Sequence, residues 1–194
     1  MASGSKYFGW IATLGIVLAA GWFLLPSGYE TLIQWLSPQL GNYVRPTLVL
    51  LNIILVDPFT NLTMVVIWGV AGFIGGVIAG TKKGAFVVGL FAWLTTILLF
   101  GFCIYMLIPA DGSITDVFAA IANTPLPPDS SIADVLGIPL VQSMIGELLN
   151  LFAGMGGGGI DPMSIIYSLV TWVVVPVIVV IVTAIIGAVV RPKE

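Results

Sequence analysis

Residues 60–108 read TNLTMVVIWGVAGFIGGVIAG–TKKG–AFVVGLFAWLTTILLFGFCIYMLI. This stretch decides the fold. Two apolar runs, 60–80 and 85–108, flank a four-residue turn that carries Lys82 and Lys83. Each run is long enough, at 1.5 Å per helical residue, to cross a hydrocarbon core about 30 Å thick. Neither contains Asp, Glu, Lys or Arg. The pattern predicts a transmembrane helical hairpin.

Working outward, the same reading applies at both ends of the chain. Tyr7 to Leu25 is a run of 19 uncharged residues with Trp10 and Trp22 near its ends, stopped by Pro26-Ser27-Gly28. Its lead of Lys6 and an apolar stretch is loosely like a secretion signal, but it reads as the first span. Met163 to Val190 is the last and longest span, with Pro176 in its middle. Four spans are therefore expected, at about 7–25, 60–80, 85–108 and 163–190. They form one all-α membrane domain over 1–194, a bundle of about four transmembrane helices with short amphipathic interfacial helices in its outer loops.

Three further segments are apolar but too short to cross. Residues 29–40 place Tyr29, Leu32, Ile33, Leu36 and Leu40 at helical spacing, the pattern of an interfacial helix, which Pro38 should shorten. Pro46 to Val56 spans 11 residues. That reaches only about 16 Å, so it is expected to be interfacial, re-entrant or a buried prelude to the next span. The outer region 109–161 contains a helical pattern over 113–123 with Ser113 as its cap. A Pro-rich break at 124–129 follows, then a restart at Ser131 that Pro139 interrupts. Beyond it, Leu140, Met144, Leu148 and Phe152 lie on one stripe, placed to cover a partner or the bilayer surface.

Composition agrees. The 194 residues are 59% hydrophobic and 8% charged, against about 25% charged in soluble domains. The net charge of −3 is distributed asymmetrically. With four spans, Lys6, Lys82, Lys83, Arg191 and Lys193 share one side and Arg45 stands alone on the other. The positive-inside rule then puts both termini in the cytoplasm of a multi-pass cell-membrane protein. Counting 46–56 as a fifth crossing leaves the basic tally unchanged, so length decides for four.

Chemistry-bearing residues are scarce. There is no histidine, and the single cysteine, Cys103, lies within an apolar run. Haem, iron–sulfur and zinc sites draw mostly on His and Cys, so no metal or cofactor is expected. The glycine run 156–159 lacks the Lys-Ser/Thr ending of a phosphate loop and reads as a flexible joint. Asn61-Leu62-Thr63 fits a glycosylation pattern but abuts a span, where capping the helix with Asn61 or Thr60 is the plainer role. No basic–aromatic stretch points to nucleic acid.

The strongest constellation is Gly69, Gly72, Gly76 and Gly80, with Gly75 and Ala79 beside them. Small residues at this spacing let helix backbones approach closely. The next helix carries Gly84, Gly89, Ala92 and Thr96, which makes packing within the chain the simpler expectation. Pro176 should free a carbonyl in the last span and kink it.

Charge-free spans, a glycine face and outer amphipathic segments together suggest a non-catalytic subunit, a scaffold or accessory component of a hetero-oligomeric membrane complex. Its expected partners are the bilayer and other membrane subunits. The alternative is a small channel or transporter, possible as a homo-oligomer lined by hydroxyls and carbonyls. A lipid-directed enzyme would have to work with outer carboxylates such as Asp111, Asp116 and Glu147.

Overall fold

The structure is a computed structural model that describes residues 4–108, 119, 125, 127–128, 131–138, 141–142, 145 and 162–192. Among these residues the regular elements are all helices. Four are long and apolar enough to cross a membrane. They are α1 (Gly4–Phe23), α4 (Leu62–Ala79), α5 (Lys82–Leu107) and α7 (Pro162–Val190). The shorter elements are α2 (Ser27–Leu40), α3 (Val44–Ile54) and α6 (Ile132–Leu136). The helices corresponding to the expected spans differ from them by one to three residues at most ends.

The helix ends follow local chemistry. Pro26 precedes α2 in an extended conformation (φ −58°, ψ 146°) that a helix cannot continue through. The Asn61 side chain accepts a hydrogen bond from the Met64 amide at the start of α4. Gly80 ends α4 in the left-handed region at φ 67°, where glycine carries no Cβ penalty. Thr81 then caps α5 by accepting from the Gly84 amide at 3.2 Å. Left-handed stop and threonine start together make the hairpin turn. Ser131 and Asp134 form a capping box on α6, which ends before Pro139.

Pro38 does not shorten α2, which runs through it to Leu40. The proline removes the amide that would have met the Gln34 carbonyl. Gln34 is exposed, so polar surroundings can meet that carbonyl instead.

The four long helices pack as a bundle. Residues along α4 meet residues along α7 in the same chain direction: Gly69 lies beside Val179 and Thr183, Gly72 beside Val180, and Gly76 beside Ala184. Helix α1 runs against α4, with Gly9 near Gly75 and Ala79, and Thr13 near Ala71. Helix α5 runs alongside α1, since Gly84 sits by Lys6 and Trp10 reaches Thr95. So α1 and α5 point one way and α4 and α7 the other, the alternation that four crossings require.

Segment 46–56 falls on α3, a half-length helix that packs against α5, α1 and α2. It is not a solvent-facing element, because Val44, Thr47, Val49, Leu50, Asn52, Ile53 and Ile54 are buried. Ile53 and Val49 fit over Gly21 near the end of α1. Val17, Val49, Ile53, Val56, Met64, Trp68 and Val180 share one core cluster. The bundle's outside is apolar as well: Phe8, Leu98 and Tyr105 are each 70% exposed or more. A soluble monomer rarely shows such a surface.

Candidate functional site: a glycine seam and a polar junction

Helix α4 carries two small-residue stripes, one on each of two faces. Gly72 and Gly76 face α7. A Cβ at Gly76 would fall on the backbone oxygen, carbonyl carbon and Cα of Ala184, and one at Gly72 on the Val180 carbonyl and the Thr183 hydroxyl. The contact is reciprocal, since a Cβ at Gly187 of α7 would meet the Phe73 carbonyl and, at 3.0 Å, the Val77 amide nitrogen. Gly69 is looser, with Thr183 and Val179 methyls 3.7 Å from its would-be Cβ. Gly80 takes another place, as the left-handed residue that ends the helix.

The second stripe, Ala71, Gly75 and Ala79, faces α1. There the Cβ of a substituted Gly9 would lie 2.7 Å from the Gly75 carbonyl oxygen. Thr13, fully buried, donates to its own-helix Gly9 carbonyl at 2.9 Å and across to the Ala71 carbonyl at 3.2 Å. The glycine face thus meets the last span and the first. Helix α5 contributes its own close approach to α7 instead, with Gly89 against Val180 and Ile181. The physical reason is position: the hairpin turn joins α4 to α5, but α7 lies against both, where backbone contact is available.

At the other end of the bundle lies a polar junction built on α3. Asp57-Pro58 prevents α3 from continuing, so its last carbonyls lack in-helix partners. The Trp68 indole donates to the Ile53 carbonyl at 2.9 Å, with the ring wholly buried. The Val56 amide donates to the Trp172 carbonyl at 3.2 Å. That carbonyl is available because residue 176, four positions on, is proline and has no N–H to offer. Asn61 donates its side-chain amide to Asn52 Oδ1 at 2.9 Å. Asn52 is 1% exposed, and its Nδ2 has no protein partner.

Beside the junction, Arg45 pairs with Glu30 at 2.7 Å and lies 4.8 Å from the centre of the Trp22 ring. Both charged side chains keep over a third of their surface exposed, so the pair contributes on the order of 1 kcal/mol at most. Tyr29 of α2 is buried, and burial holds its phenol above the ordinary range. Asp134 is held below the ordinary carboxylate range by the Ser131 backbone amide and then by the Ser131 hydroxyl.

The sequence announces only part of this. Pro176 signals a free carbonyl, but nothing in the sequence names Val56 as its donor. Asn52 and Asn61 are visible as amides among apolar residues, yet their pairing needs the fold. Leu140, Met144, Leu148 and Phe152 lie outside the described residues, as do Asp111, Asp116 and Glu147. Among the described residues no cluster of three or more His, Cys, Asp or Glu could hold a metal ion. Among the described residues the arrangement is one of packing and hydrogen bonding. Comparison with protein-family models, with curated proteins and with solved structures finds no significant match.

Proposed function

We propose that this chain is a four-span integral membrane protein that serves as a non-catalytic subunit, a scaffold or accessory component of a larger hetero-oligomeric complex. Its termini lie in the cytoplasm, by the positive-inside argument. The observation that carries the reading is the small-residue seam. Backbone meets backbone at Gly72, Gly76 and Gly187, and at Gly9 and Gly75 on the neighbouring face, where the Thr13 hydroxyl bridges to the Ala71 carbonyl. A bundle closed in this way offers an ion no hydrated path along these contacts. Its interior hydroxyls are committed as well: buried Thr13 and Thr96 and half-buried Thr183 each donate to carbonyls of their own helix. What remains for function is the exterior.

A second reading, a channel or transporter, is favoured by one observation. A half-length helix meets a span that carries a proline in its interior, and transporters place binding sites where spanning helices lose backbone hydrogen bonds. Against it, the freed Trp172 carbonyl is already taken by Val56.

The test has two arms. Isolation from native membranes in mild detergent should give the chain in fixed stoichiometry with a different protein, and the chain reconstituted alone should pass no ion or solute. Selective flux that changes in Thr95→Val or Thr96→Val would overturn the scaffold reading in favour of the second. Topology is checked separately in a Cys103→Ser background. Cysteines at Ser3, Thr81 and Lys193 should be shielded from an impermeant thiol reagent in intact cells, while one at Ser130 should label.

A further inference from the structure

A groove of about 430 Å³ runs between α1 and α5, lined by Lys6, Tyr7, Trp10, Val87, Val88 and Phe91. Its shape follows from the parallel course of the two helices. On α1, Lys6 stands one turn before Trp10; on α5, Lys83 stands one turn before Val87 and two before Phe91. Residues four apart share a helix face. Each helix therefore offers the same profile, a cation at the end of the bundle followed inward by apolar and aromatic surface.

The two cationic ends are adjacent. The Lys6 side chain lies across the start of α5, its Cε 3.3 Å from where a Gly84 Cβ would be. Lys6, Lys82 and Lys83 are exposed. Among the described residues the only ion pair is Arg45–Glu30, on a different part of the molecule. Every described carboxylate (Glu30, Asp57 and Asp134) belongs to the opposite end. The first turn of α5 adds the positive end of its helix dipole. Deeper in the groove the Trp10 indole N–H is satisfied by the Thr95 hydroxyl at 3.2 Å, which fixes the ring and leaves its faces apolar.

We propose that this groove binds an anionic phospholipid, its phosphate at Lys6, Lys83 and the start of α5, and one acyl chain along Trp10, Val87 and Phe91. Charge complementarity selects the headgroup, and the apolar length below it selects a lipid over a soluble phosphate. The site lies at the lysine-rich end, which the positive-inside rule assigns to the cytoplasmic leaflet, where anionic lipids attract juxtamembrane lysines. The inference goes beyond the scaffold reading and rests only on the four helices crossing a bilayer.

The full chain, purified in mild detergent, is incubated with phosphatidylglycerol or phosphatidylcholine, and retained lipid is counted by native mass spectrometry. One phosphatidylglycerol should be held per chain through detergent washing, and phosphatidylcholine should not. Glycerol phosphate in excess should fail to displace it. Lys6→Gln with Lys83→Gln should lower retention about thirtyfold. Arg191→Gln, which removes a charge at the same end but outside the groove, should leave it unchanged. Val87→Trp, which fills the groove without altering charge, should also abolish retention. Equal retention of the two lipids would overturn the proposal. So would an equal loss in Arg191→Gln, or full retention in Val87→Trp. A failure of the membrane reading is distinguishable, because the chain would then stay dispersed once detergent is removed.

Discussion

Replacing Gly76 by alanine adds one methyl group at the tightest point between α4 and α7. That methyl would sit on the Ala184 backbone, which cannot rotate aside, so the helices must part. Overpacking of this kind costs about 1–3 kcal/mol, and separation forfeits dispersion along the neighbouring Gly72 and Gly187 contacts as well. Against it, alanine in a helix interior is favoured over glycine by about 1 kcal/mol. The two effects oppose each other, so the informative measurement is a comparison. At Gly69 the new methyl meets the Val179 and Thr183 methyls at 3.7 Å, ordinary contact distance. There the propensity gain stands unopposed, and Gly69→Ala should stabilise by about 0.5–1 kcal/mol. The difference between the two variants should be about 2–3 kcal/mol, which on soluble-domain scaling separates their melting temperatures by roughly 5–10 °C. Melting in one detergent, followed by circular dichroism, reads this directly. Gly76→Leu should lower the midpoint further, and Val77→Leu should be tolerated. If Gly69→Ala and Gly76→Ala melt together, the seam is not where the bundle is held.

Three other outcomes follow from single bonds. Thr13→Val keeps the shape but loses the hydroxyl that reaches the Ala71 carbonyl, so unfolding in detergent should be easier by about 0.5–1.5 kcal/mol; no change would mean that α1 is held by packing alone. Pro176→Ala restores an in-helix donor for the Trp172 carbonyl, and the Val56 amide should then exchange with deuterium faster, while unchanged protection would show that the carbonyl serves both donors or that Val56 has another acceptor. The depressed Asp134 pKa makes the α6 cap acid-sensitive: its contribution is present above the unfolded pKa and is lost as pH falls through the lower folded value. Ser131→Ala removes the hydroxyl but keeps the backbone amide, the larger cause, so the Asp134 titration, followed by NMR, should move part of the way up toward the ordinary carboxylate value, and an unmoved titration would show that the hydroxyl contributes nothing.

The hairpin, the two flanking apolar helices and the short α2 and α3 were legible in the sequence because their signals are local. Uninterrupted apolar length marks a helix that can cross a membrane, and Pro26, Asp57-Pro58 and Gly80 mark where helices stop. The glycine spacing was legible for the same reason, since it is a property of one helix, although Gly80 ends the helix and, of Gly69, Gly72, Gly76 and Gly80, only Gly72 and Gly76 lie in tight contact with another helix. Which helix they face is not. Gly72 and Gly76 meet α7, more than a hundred residues away, and Ala71, Gly75 and Ala79 meet α1, because α4 lies between those two helices. Likewise, Pro176 removes its own amide from the ladder by covalent structure alone. That the orphaned Trp172 carbonyl is met by Val56, and that α3 is buried rather than laid on the surface, only the tertiary structure decided. Hydrogen-bond supply is written into each segment, but the donor that meets it depends on how the helices are brought together.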